Sequence, residues 1–246
     1  MSVNIAMWSG PRNISTAMMR AFENRPDTAV IDEPFYAAFL VRTGLDHPLR
    51  EEVMAAHEAD PTEMMHALAG EAPDGAAIFY QKHMTHHMLP GFDGTWMDCC
   101  RHAFLIRAPE RVLASYVRKR AEVSAEDVGF RRQGELFEAI TERTGAPPPV
   151  IDADDVLADP RGALTALCAA LAIPFDEAML AWPAGRRVSD GAWAPAWYDA
   201  VERSTGFAPP PPSPAPLPGA LAAIAEEVRP IYEGLQRYRI FGVSSP

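Results

Sequence analysis

Apolar residues along this chain come in short runs broken by polar, glycine and proline residues. Val3-Asn-Ile-Ala-Met-Trp8 is the first run and stops at Ser9-Gly10-Pro11, the pattern of a buried strand entering a loop. Ser15 then opens a stretch in which Met18, Met19 and Phe22 recur near helical spacing, with Ser15 or Asn13 as its cap. Residues 28–31 predict a second strand, halted by Asp32-Glu33-Pro34, and residues 35–70 read as mostly helical with polar breaks. Residues 76–80, 102–106 and 149–151 are the third, fourth and fifth strand candidates. After the fourth, Pro109 suits the first turn of a helix that carries Val112, Leu113, Tyr116 and Val117 on one stripe. Leu164, Leu167, Cys168 and Leu171 line a further helix that ends before Pro174. Short strands alternating with helices predict an α/β fold, a parallel central sheet flanked by helices. Seven prolines between 209 and 218 make 208–218 an extended connector. Residues 219–238 read as a closing helix with Leu221, Ile224, Val228, Ile231 and Leu235 on its apolar face and a kink at Pro230. With no internal repeat, one α/β domain over 1–246 is expected.

Composition excludes several function classes. The chain has 246 residues, 22 of them basic and 33 acidic, for a formal net charge of −11. That balance argues against a nucleic-acid polymer as partner, because such affinity rests on Lys and Arg against phosphates. A hydrophobic content of 48% is that of a globular chain with an extensive core. Cys99 and Cys100 are adjacent and Cys168 is the odd third, so no disulfide framework or C-x-x-C zinc spacing arises, and a reducing compartment fits. Cys99 and Cys100 read as buried apolar residues. The N-terminus lacks a basic start, and no run of about 18 apolar residues occurs, so the expectation is a cytoplasmic protein without a membrane partner. Only Lys82 and Lys119 are lysines, so phosphate binding falls to arginine. Segment 101–132 holds eight basic against four acidic side chains, a net +4, which leaves −15 elsewhere.

Two strand-to-helix turns carry anion-binding chemistry. In Trp8-Ser-Gly-Pro-Arg-Asn-Ile-Ser-Thr16, successive backbone N–H groups and a helix N-terminus face one concavity. Gly10 lets the backbone approach closely, Arg12 adds a bidentate cation, and Ser15 and Thr16 add hydroxyls; a capped helix with a surface arginine is the plainer reading. Walker A is G-x-x-x-x-G-K-[ST], and here Ser15 and Thr16 stand where Gly-Lys belongs. Ala29-Val-Ile-Asp32-Glu33 nevertheless looks like the apolar strand and acid that hold Mg²⁺ in nucleotide hydrolases, which keeps a kinase or NTPase using Mg-ATP in view. The second turn is Phe104-Leu-Ile-Arg107-Ala-Pro109-Glu-Arg-Val-Leu-Ala-Ser115-Tyr116, where an arginine at a strand end and a helical hydroxyl meet the geometry of one phosphate.

Together these motifs resemble the sulfotransferases of the P-loop superfamily. The resemblance implies a P-loop NTPase-like sulfotransferase fold. It also implies 3′-phosphoadenosine 5′-phosphosulfate as donor, with 3′-phosphoadenosine 5′-phosphate as product and no metal required. On this resemblance Gly10, Pro11, Arg12, Asn13, Ile14, Ser15 and Thr16 hold the 5′-phosphosulfate, and Arg107 and Ser115 hold the 3′-phosphate, in an R-x-P-x-x-V-x-x-S-Y-like motif with Pro109, Val112 and Tyr116. A poorly characterised bacterial branch is similar in its G-[SP]-P-R-x-x-S-T-A, D-E-P-[FL]-Y and K-x-M-x-H-H segments, here residues 10–17, 32–36 and 82–87. Many cytosolic members have Lys where this chain has Arg12, and a Trp after the loop where it has Ala17 and Met18. Their C-terminal Arg-Lys-Gly clamp is echoed loosely by Arg186 and Arg187.

Sulfuryl transfer to a hydroxyl needs a base and charge stabilisation. Glu33 is the first candidate base; Arg12 and Lys82 are the cations beside it, and His83 is the next candidate. His86, His87, Trp193 and Trp197, with Tyr198 and Phe207, are expected to line the acceptor site, or to pack in the core. His83 and His87 have i, i+4 spacing, a metal pair if the segment is helical, but no third ligand accompanies them. The expected activity is sulfuryl transfer to a hydroxyl or amine of an unidentified small-molecule or glycan acceptor. A non-catalytic nucleotide-binding protein of the same fold is the remaining alternative.

Overall fold

The computed structural model describes residues 2–120 and 122–241. Strands β1 (Val3–Ser9), β2 (Thr28–Asp32), β3 (Ile78–Met84), β4 (Cys100–Ile106) and β5 (Val150–Asp152) form one sheet in the order β2-β3-β1-β4-β5. Every pairing is parallel, with Met7 opposite Lys82 on one side and Ala103 on the other. The fold is therefore the expected one, five parallel strands flanked by helices.

Strand periodicity sorts the core into two layers. Ile5, Met7, Tyr80 and Leu105 point to one face, covered by α1 (Ser15–Glu23), α7 (Ala153–Ala158) and α8 (Pro160–Ala170). Ala6, Trp8, Phe79 and Phe104 point to the other, covered by α4 (Pro61–Ala69), α6 (Phe130–Thr144) and α11 (Gly219–Gln236). The chain leaves β1 for α1 on the first face. It leaves β4 for α5 (Pro109–Tyr116), whose Val112 and Leu113 pack with Val228 of α11. Connections that part in this way open a crevice at the carboxyl ends of the central strands. The short helix α2 (Tyr36–Thr43), backed by α3 (Arg50–Ala56), and two shorter ones, α9 (Ala194–Trp197) and α10 (Asp199–Glu202), stand beside it.

Several boundaries differ from the sequence reading. Strand β3 begins at Ile78 and runs to Met84, so Lys82 and His83 are buried sheet residues. Helix α6 was not expected, although Phe130, Gln133, Leu136, Phe137 and Ile140 form its buried stripe between Gly129 and Gly145, both left-handed. Helix α11 continues through Pro230 and ends at Gln236. Cys99 is exposed and Cys100 half-buried, because they close the 3₁₀ turn Thr95–Cys99 at the entrance to β4; only Cys168 is in the core. Residues 208–218 have no regular structure, and Arg111 Nη1 donates to the carbonyls of Pro211 (2.9 Å) and Pro212 (3.0 Å). No helix among the described residues is long and apolar enough to cross a membrane.

Candidate active site

The turn between β1 and α1 lacks the expected side-chain cap. Asn13 sends its amide to the Leu105 carbonyl (3.2 Å), and the N-cap is Ile14 at φ 58°, after Arg12 at φ 62°. Left-handed backbone costs a non-glycine residue on the order of 1–3 kcal/mol. It turns main-chain N–H groups into one concavity, and the helix's own first-turn donors join them. Gly10 serves a different purpose from the expected one. A Cβ there would meet the Val128 carbonyl oxygen at 2.7 Å, so its smallness admits the 123–129 loop rather than a ligand.

The two anion turns are one structure. Arg107 Nη1 donates to the Arg12 carbonyl (2.9 Å), and Arg12 Nε donates to Ser115 Oγ (3.0 Å). Among the described residues no carboxylate lies within 4.0 Å of the Arg12 guanidinium. Arg107 Nε has no hydrogen-bond partner and stands 4.0 Å from Asp154, which Arg111 holds at 2.7 Å. Burial lowers the pKa of both arginines, and Arg118 adds to the effect at Arg12. Arginine stays charged all the same, so these are cations held out of water with unfilled capacity for an anion. The rest of the basic 101–132 segment is largely committed elsewhere: Arg101 to the Leu171 carbonyl, Lys119 to Asp199, Arg131 to Glu227, Arg132 to Glu135.

Beside this anion floor lies a buried carboxylate–lysine centre. Lys82 Nζ donates to Asp32 Oδ1 (2.7 Å), Glu33 Oε1 (2.6 Å) and the Tyr198 hydroxyl (2.6 Å), which uses all three of its protons. Asp32 Oδ2 accepts from Tyr198 (2.7 Å) and from the Gly191 N–H (3.3 Å). Glu33 follows β2 at φ 41°, pinned by its own N–H on the Lys82 carbonyl (2.9 Å). Among the described residues its Oε2 takes no hydrogen bond, and His87 Nδ1 stands 3.7 Å away. Burial raises the Glu33 pKa; the Lys82 ammonium opposes the shift and Asp32 adds to it. Burial alone would lower the Lys82 pKa, but Asp32 and Glu33 outweigh it and leave it raised.

A cavity of about 460 Å³ connects these parts, a size suited to a small ligand. Pro11, Arg12, Asn13, Ile14, Ser15 and Thr16 line it, as do Glu33, Lys82, His86, His87, Arg107, Ser115 and Trp197. Sequence reasoning missed Tyr36, His47 and Leu157, which also line it. Tyr36 bonds His47 Nδ1 (2.9 Å) and stacks on His87 at 4.4 Å and 5°. Tyr36 stands in the D-E-P-F-Y segment, a signal that was available; His47 lies in a polar break and carried none. Burial lowers the pKa of His86 to about 4 and that of His87 well below its ordinary value, so both are neutral at neutral pH.

Five expected site residues stand off the cavity wall. Gly10 is one. His83 lies one residue past Lys82 on β3, so it faces the opposite layer, stacked on Trp8 at 4.5 Å and with Nε2 on Gln81 (3.3 Å). Since His83 is in a strand and His87 in the 3₁₀ turn Thr85–His87, they share no helical face. Trp193 is core, its Nε1 donating to Tyr198 (3.0 Å) and its ring edge-on to Tyr36. Arg186 is exposed, and Arg187 turns back to the Pro183 carbonyl (3.1 Å), because Arg20 anchors their loop to α1 through Asp190 (2.5 and 2.7 Å).

Comparison with known proteins agrees with this architecture. Residues 3–236 match the family described as sulfotransferase domain. Two Arabidopsis thaliana proteins named branched-chain-amino-acid aminotransferase-like protein 2 and protein 1 are 36% and 37% identical. The matches cover 94% and 95% of this chain but 41% and 42% of theirs, so the chain spans about two fifths of these relatives. Among solved structures, the sulfotransferase domain of the curacin biosynthetic pathway has a TM-score of 0.52 at 16% identity, covering 93% of this chain and 98% of that one. The sulfotransferase domain of the Synechococcus PCC 7002 olefin synthase has a TM-score of 0.54 at 16% identity, covering 94% and 95%. These likenesses are of fold.

Proposed function

This chain belongs to the sulfotransferase domain family, and from that premise we propose that it moves a sulfuryl group from 3′-phosphoadenosine 5′-phosphosulfate to a hydroxyl or amine of a small-molecule or glycan acceptor. One observation carries the reading: a single cavity runs from two linked arginines, Arg12 and Arg107, to the Glu33 carboxylate. The donor supplies the activated sulfuryl group. Arg12 and the backbone of Asn13, Ile14, Ser15 and Thr16 bind its 5′ end, and Arg107 with Ser115 binds the 3′-phosphate. Glu33 Oε2 takes the acceptor proton as the acceptor atom bonds to sulfur and the sulfur–oxygen bond to the phosphate breaks. Negative charge collects on the leaving phosphate in a loose transition state, and Arg12 with the helix-end N–H groups stabilises it. His86, His87 and Trp197 contact the acceptor or the cavity mouth. The mechanism calls for no metal, since two arginines and a helix end supply the positive charge.

The Mg-ATP alternative is weaker, because Asp32 already has both oxygens engaged, by Lys82, Tyr198 and Gly191. On the sulfotransferase reading the protein acts in the cytoplasm, with no membrane or nucleic-acid partner. Thermal unfolding with added nucleotide separates the two. 3′-Phosphoadenosine 5′-phosphate at a hundred times its Kd should stabilise by about 2.7 kcal/mol without Mg²⁺, and Arg107→Ala should remove the shift. Stabilisation by Mg-ATP alone, with no response to the 3′-phosphate nucleotide, would overturn the proposal.

A further inference from the structure

The Tyr198 hydroxyl is the most heavily engaged buried polar atom of the site. It accepts from Lys82 Nζ (2.6 Å) and Trp193 Nε1 (3.0 Å), and donates its single proton to Asp32 Oδ2 (2.7 Å), with Glu33 Oε1 at 3.4 Å. Thr16 of the first turn faces the same hydroxyl. Tyr198 also joins α9 to α10, between the cavity-lining residues Trp197 and Val201. The centre that presents Glu33 and the wall of the cavity therefore meet at one oxygen.

Lys82 has no proton to spare for a ligand while Tyr198 holds it. Any shift of α9 and α10 moves Tyr198, and with it one of the three bonds that fix the ammonium against Glu33. We propose that Tyr198 is a positioning residue that couples occupancy of the cavity, sensed at Trp197 and Val201, to the placement of Lys82 and Glu33. The link rests on the proposed function for the identity of the ligand, and on the bonds alone for its path.

The two lysines make a direct test available. In the full chain labelled with [¹⁵N]lysine, Lys82 and Lys119 give two Nζ signals, assigned with Lys119→Arg. Lys82, buried and triply bonded, should exchange its protons slowly and shift when 3′-phosphoadenosine 5′-phosphate is added. In Tyr198→Phe, loss of one hydrogen bond should speed that exchange by about tenfold. The nucleotide should still raise the melting temperature of this variant but no longer move the Lys82 signal. Trp193→Phe, which removes a different bond to the same hydroxyl, should leave Lys82 exchange near that of the unmodified chain.

A Lys82 signal that answers the nucleotide equally in Tyr198→Phe overturns the coupling. If Tyr198→Phe fails to fold, the unmodified chain carrying 3-fluorotyrosine reads the same link. The ¹⁹F signal of Tyr198 should then move with Lys82 at the same nucleotide concentration, and a Lys82 shift with Tyr198 unmoved overturns the proposal. A nucleotide that stabilises neither protein counts against the sulfotransferase reading instead, while the exchange rates still decide the Tyr198–Lys82 bond.

Discussion

Glu33 is held where a glutamate seldom sits. Three of the six non-glycine residues with left-handed φ among the described residues, Arg12, Ile14 and Glu33, line the cavity, so backbone strain concentrates at the site. The neighbouring Asp32 is saturated, which leaves Glu33 Oε2 as the free carboxylate oxygen. Glu33→Gln keeps the shape and removes the base. Sulfuryl transfer should fall by about 10²–10⁴-fold, with thermal stabilisation by 3′-phosphoadenosine 5′-phosphate retained. Burial raises the Glu33 pKa, and the base works only when ionised. The kcat/KM profile should therefore rise with pH through a midpoint above the ordinary glutamate value, and this limb should vanish in Glu33→Gln. A midpoint at or below the ordinary value would show that another group is the base.

At the level of elements, the first turn depends on a loop more than a hundred residues away in sequence. Gly10→Ala drives a Cβ into the Val128 carbonyl, a contact with backbone that cannot rotate aside. Overpacking of this kind costs about 1–3 kcal/mol, to be read as a lowered urea midpoint at unchanged slope. Nucleotide affinity should drop as well, because the turn that holds Arg12 must shift. A variant with full stability and affinity would show that the 123–129 loop does not brace the turn.

The sequence carried the elements with strong local signals: β1, β4, the turns after them, and the helix after Pro109. It lost residues whose position depends on strand parity or tertiary contact. A third strand read over residues 76–80 does not fix the parity of Lys82 and His83, whereas the four further strand positions to Met84 turn Lys82 to the cavity side and His83 to the Trp8 side. The stripe of α6 was legible, but six charged residues share the helix with it. Arg12 and Arg107 were legible singly; the bond joining their turns spans 95 residues and has no local trace. Arg186 and Arg187 match the motif only in composition, and the Arg20–Asp190 pair that turns them away leaves no local mark.

For the whole molecule, the neutral histidines set a pH limit. Burial lowers the pKa of His83 to about 3 and of His86 and His102 to about 4, and takes His87 in the same direction. An unfolded chain binds protons at these histidines near pH 6.5, where the folded one does not. Stability is thus complete above about 6.5 and declines as pH falls toward the folded values, by up to about 1.4 kcal/mol per pH unit for each histidine. Melting temperature should fall steadily from pH 7 to pH 5, and His83→Gln should flatten the slope. A flat profile over that range would mean that these rings are already charged in the fold.

The cavity wall begins at Pro11 and closes at Pro211. Residues 1–190 hold both anion turns but not Trp197, Tyr198, Phe207 or the proline strap that Arg111 holds. During synthesis the cavity can therefore close only after all five strands of the sheet have been made.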